Sequence, residues 1–228
     1  MKLDITTITI QKMRRQCRLA MNGVTSTSMR ERGLSYKLNF GLVLSQIKNI
    51  ASSYSVDSQL AEALWSEGTR ELKIMATMLY PVEAFSADMA EKWVREIPNQ
   101  EIREQVCLNL FSNLPFAEDA ALRWIKDADP QIRLTGYWLL GRLFASKKID
   151  SAPATKEYTY IWDDLAENDL FMRNACLLVL KYTGRSSQEV AGDILSRISE
   201  YKISDDLVKV EIYDNLSFEF EYYFDSKQ

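Results

Sequence analysis

Five basic residues recur along the chain in one local setting, and a carboxylate directly follows one of them. Lys73, Arg103, Arg133, Arg173 and Lys209 each follow an apolar residue and precede a small or apolar one three positions on. Their positions give steps of 30, 30, 40 and 36 residues, and Glu104 stands next to Arg103. A row of cations at a regular interval can track the phosphates of a nucleic acid. The same residues can instead pair with a carboxylate of the adjacent repeat, or cover the stack with their aliphatic stems. The sequence leaves both open.

Other chemistries are limited by residue type. The chain has no histidine, which excludes Ser-His-Asp and Cys-His catalysis and any histidine-containing zinc site. Cys17, Cys107 and Cys176 stand far apart with no CxxC spacing, so neither a metal knuckle nor a redox pair is expected. No metal and no other cofactor is implied. No apolar run approaches the roughly 20 residues of a membrane span. The N-terminal stretch lacks the apolar core of a secretory signal, so a soluble cytoplasmic protein that does not enter membranes is expected.

The net charge of −4 disfavours nucleic acid as a partner, but the charge is unevenly spread. Residues 1–48 carry nine Lys/Arg against Asp4 and Glu31, a balance of +7. Residues 201–228 carry three basic and seven acidic residues, a balance of −4. Such polarity favours phosphate near one end; a solvated basic helix face accounts for it equally well.

These residues need long helices to position them. Glycine (8) and proline (5) are scarce, against a turn-rich β architecture. Each repeat step is the length of a helix pair, so the expected fold is all-α: a right-handed superhelix of HEAT-like antiparallel helix pairs forming one domain over 1–228. Ser86, Asp129-Pro130 and Ser186-Ser187 mark helix starts. Residues 145–157 are expected to form the longest loop, and Phe218–Asp225 a short strand or irregular cap. The tryptophans at 65, 93, 124, 138 and 162 lie in helical patterns, where indoles usually pack between repeats.

Two stretches carry a family resemblance. One is Asn39-Phe-Gly-Leu-Val-Leu-Ser-Gln-Ile-Lys48, followed by Leu64-Trp65 and Arg70-Glu71; the other is Trp93-Val, Asn99-Gln-Glu-Ile-Arg-Glu104, Trp124 and the helix at Arg133. Over roughly residues 30–185 the chain resembles the AlkD-like DNA alkylation repair family of HEAT-like repeat glycosylases. The resemblance implies a concave groove for double-stranded, alkylated DNA and cofactor-free excision of cationic N3- or N7-alkylated purines. It implies Glu104 as the catalytic carboxylate, where the family's motif is approximately Trp-Asp-x-x-Asp, and Gln100 in place of that tryptophan. Arg133 maps to the phosphate-binding arginine, Leu178 to a second site tryptophan, and Arg103, Arg173 and Lys181 are further expected DNA contacts. The alternatives are a non-catalytic DNA-binding relative, or a scaffold whose groove takes a protein partner.

Overall fold

The computed structural model describes residues 4–149, 156 and 158–226. Among them there are thirteen α-helices and no β-strand, so the expected all-α class is observed. The expected loop at 145–157 lies largely outside the described residues. Backbone contacts divide the chain into two units, Met1–Pro115 and Phe116–Gln228.

The first unit holds α1 (Ile5–Leu19), α2 (Gly23–Glu31), α3 (Leu44–Ala51), α4 (Ser58–Trp65), α5 (Arg70–Leu79), α6 (Ala87–Arg95) and α7 (Gln100–Asn109). Short polar side chains start most of them by accepting a free backbone N–H of the first turn: Asp4 from Thr6, Asn22 from Thr25, Asp57 from Leu60, Ser86 from Met89 and Asn99 from Ile102. In α1 the apolar positions Ile10, Met13 and Cys17 face inward. The helix packs on α3, α4 and α5, and α5 lies between α3 and α7.

Trp65 and Trp93 stack face to face at 4.0 Å, with Tyr80 and Phe85 edge-on to Trp93. Their burial is of the size that dominates core energetics. All three cysteines are free and buried. Burial, then the charge of Glu71, pushes the Cys17 thiol up to about 12, so it packs as a small apolar group.

The Phe40-Gly41-Leu42 turn is held by a buried carboxylate. Glu71 accepts the backbone N–H of Phe40 and of Leu42 at 3.1 and 3.3 Å. Gly41 sits at φ +74°, and a Cβ there would lie 2.2 Å from the Asn22 carbonyl oxygen. Only glycine meets both conditions.

The second unit holds α8 (Ala117–Trp124), α9 (Pro130–Ala145), α10 (Ile161–Ala166), α11 (Leu170–Gly184), α12 (Gln188–Arg197) and α13 (Leu207–Asp225). Helix α9 packs on α8 and α11, and α11 packs on α10, α12 and α13. Asp129, Asp169, Ser187 and Asp206 cap the starts, with Pro130 in the first turn of α9. The C-terminal stretch corrects the expected strand or irregular cap, because it continues α13. Its buried residues Ile212, Leu216 and Phe220 recur every four positions, and that spacing prevails over the local apolar–acidic alternation.

Candidate nucleic-acid interface

In the first unit the basic residues of the first 48 positions are mostly free. Lys12, Arg15, Arg18, Arg30, Arg32, Lys37 and Lys48 are exposed. None of these seven pairs with a carboxylate among the described residues. Arg14 is the exception, with Nη2 at 2.7 Å from Glu67 Oε2. On α1 the spacing of Lys12, Arg15 and Arg18 places three cations on the side away from buried Met13 and Cys17. Between positions 12 and 48 the only acidic residue is Glu31, so the net charge of the chain understates the attraction these cations exert on an anion.

Glu104 lies half-buried on α7. Gln100 Nε2 donates to Glu104 Oε1 at 3.1 Å, while Arg103 Nη1 donates to Gln100 Oε1 at 2.7 Å. Gln100 thus bridges the cation to the carboxylate and fixes one carboxylate oxygen. The other, Oε2, has no partner among the described residues. Arg103 is buried, 3% exposed, which keeps its guanidinium within the fold.

Three of the recurring cations are engaged within the fold. Lys73 donates to the Trp65 carbonyl and sits 4.5 Å from the centroid of its ring. Arg133 binds Asp164 through two parallel bonds of 2.7 and 2.6 Å, donates to the Asp127 and Ala128 carbonyls, and lies over Tyr160. Lys209 lies over Tyr201. In three of the five repeats the cation therefore ties the second helix to an aromatic residue of a neighbouring segment, Trp65 and Tyr201 before it and Tyr160 after it, the strut role that the sequence left open. Arg133→Ala leaves buried Asp164 with the Tyr137 hydroxyl but without its cation, and a stability loss of about 2 kcal/mol is expected. A melting curve checks it, and an unchanged midpoint refutes the strut.

On α11, Lys181 Nζ lies 3.7 Å from Glu219, which Arg185 also binds. Arg173 differs: its Nε is buried with no partner. Arg142, which the sequence reasoning passed over, shares this property. It follows Arg133 by nine residues, half a turn around α9 at 100° per residue, so it points away from the Asp164 side. It lines an open cleft with Trp138, Ala145, Ser146 and Leu178. Leu178 rests against Gly141, where a Cβ would come within 2.6 Å of the leucine Cδ2. A guanidinium N–H that is buried and unpaired costs free energy until an acceptor reaches it, and Arg142 and Arg173 are both in that state.

The profile of the DNA alkylation repair enzyme family matches residues 22–202. The chain belongs to the DNA alkylation repair family. A solved structure described as "a new family of proteins related to the HEAT-like repeat DNA glycosylases with affinity for branched DNA structures" has the same fold. Its TM-score is 0.63 at 19% sequence identity, covering 87% of this chain and 83% of its own. No curated protein sequence matches. In this member of the family the helical pairs have the HEAT-like repeat fold, as the 30- to 40-residue steps implied. Glu104, which the resemblance put forward as the carboxylate, has the Gln100 amide beside it, and Leu178 packs on Gly141. Arg142 could have been found in the sequence from its spacing, since a helix that begins at Pro130 must present positions 133 and 142 on opposite sides. No helix is long and apolar enough to cross a membrane among the described residues, and no acidic or cysteine cluster there is suited to a metal ion.

Proposed function

We propose that this chain binds DNA through the sugar-phosphate backbone, with the free cations of the first unit as the contact. The observation that carries this reading is the set of seven exposed, unneutralised cations between Lys12 and Lys48. The affinity for branched DNA named for its structural relative is consistent with recognition of backbone and shape rather than sequence. Arg103, Arg133 and Lys181 are assigned to the scaffold, because their guanidinium or ammonium groups are buried or already engaged.

The test is salt dependence. A protein that uses six or more phosphate contacts loses about 10³-fold or more in affinity between about 50 and 200 mM salt. An affinity for duplex and four-way-junction DNA that stays level across that range overturns the reading.

Excision of N3- or N7-alkylated purines is a second reading, favoured by the unpartnered Oε2 of Glu104. A cationic alkylated base is already a good leaving group. The remaining task is to stabilise the developing oxocarbenium charge on the sugar and orient a water, which one carboxylate can do. Release of 7-methylguanine or 3-methyladenine from methylated duplex, abolished by Glu104→Gln, supports it; no release above background excludes it.

A further inference from the structure

The first unit contains a cleft of 490 Å³ that lies on none of the residues assigned above except Lys48. Met78 and Leu79 of α5 form its floor. Leu44, Ser45, Lys48 and Ala51 of α3 line one wall, and Gln105, Leu108 and Asn109 of α7 the other. This layout follows from α5 packing against both α3 and α7. The volume falls within the roughly 300–1,000 Å³ range of clefts that hold small ligands.

Its polar groups are few and placed for recognition. Gln105 is only 6% exposed, yet its Nε2 donates to nothing among the described residues. Its Oε1 takes a long 3.5 Å contact from Asn109 Nδ2, which also donates to Thr77 at 2.9 Å. That leaves the Gln105 amide nitrogen and the Asn109 amide oxygen, both on residues that line the cleft, without a partner among the described residues. A donor and an acceptor are what the edge of a nucleobase presents in return. Lys48, exposed at the opposite wall, is free to meet a phosphate.

The cleft also connects to the basic surface. Tyr54, one of its lining residues, donates through its hydroxyl to Gln16 Oε1 of α1 at 2.6 Å. Gln16 lies one helical turn beyond Lys12 and next to Arg15. Through Tyr54 and Gln16 the cleft is joined to the helix that carries Lys12 and Arg15.

We propose that this cleft accepts a single unstacked nucleotide of bound DNA, with the base between Leu44 and Leu108 over Met78, its edge on Gln105 and Asn109, and its phosphate on Lys48. The proposal rests on the DNA-binding reading above. It predicts a preference for DNA that offers an unpaired base over DNA that does not.

The test compares the full chain on a duplex with a one-nucleotide bulge, the bulged position carrying 2-aminopurine, and on the same duplex fully paired. The expected preference for the bulge is about tenfold, the usual weight of one bound base, and the 2-aminopurine becomes protected from iodide quenching on binding. Leu108→Trp fills the cleft from an exposed position and is expected to remove the preference and the protection while leaving paired-duplex affinity within about twofold, that is, within a few tenths of the tenfold step. Gln105→Ala is the second variant, and it should reduce the preference without closing the cleft. Binding to both DNAs with no bulge preference, or a preference that Leu108→Trp leaves intact, overturns the nucleotide cleft alone. Binding to neither DNA overturns the DNA-binding reading as well.

Discussion

Arg70→Ala is expected to destabilise the first unit by about 3–5 kcal/mol, the cost of removing one partner from a buried ion pair. The Arg70 side chain is 2% exposed and lies between two carboxylates. Its Nε and Nη2 bind Glu101, and its Nη1 reaches Glu71 at 3.1 Å and the Leu42 carbonyl at 2.8 Å. Burial pulls its basicity down, but the hydrogen bonds and charges of Glu101 and Glu71 outweigh this and leave it raised. Alanine removes the cation and leaves Glu71, fully buried, facing only backbone N–H groups.

Glu101 would also lose its anchor, and with it the Tyr36 hydroxyl that donates to it at 2.6 Å. Both ends of the 36–42 segment are therefore released together. In a chain of this size a loss of that order lowers the melting temperature by roughly 10 °C. Arg70→Lys keeps the charge but loses the parallel bonds to Glu101, so it should fall between the two. A midpoint for Arg70→Ala within 1 °C of the parent would refute the account.

Reversing the charge of α1 is expected to have the largest effect on binding. Lys12, Arg15 and Arg18 are exposed, and the inward residues of α1 are Ile10, Met13 and Cys17, so Lys12→Glu, Arg15→Glu and Arg18→Glu combined leave the packing intact. Each lost phosphate contact removes close to one unit from the slope of log affinity against log salt. The triple variant should show a slope shallower by about three and an affinity for duplex lower by at least about 100-fold at low salt. A helical circular dichroism spectrum matching the parent certifies the fold. Should the slope remain unchanged in a folded variant, α1 is not in contact with DNA.

The repeat architecture was legible because each helix pair repeats one local pattern, an apolar residue and then a cation at the start of the second helix. What the cation does was not legible. Asp164 lies 31 residues from Arg133 in sequence, and no window around position 133 announces it. The same limit hid the cleft, whose walls come from α3, α5 and α7 and meet only in the fold. Gln100 and Glu104 were within reach, being one helical turn apart, and their contact is the one that position predicts. The C-terminal helix was missed because Phe218-Glu-Phe-Glu alternates over a few residues. The deciding signal, Ile212-Leu216-Phe220, needs a longer window.

The contact of Leu178 with Gly141 couples two positions that lie 37 residues apart in this chain. Helices α9 and α11 approach closely enough there that a methyl group on residue 141 would collide with the leucine. The two positions are therefore coupled: a side chain gained at 141 requires the Leu178 side chain to move aside. Substitutions at 141 and 178 are accordingly expected to be non-additive, because each changes the space left to the other.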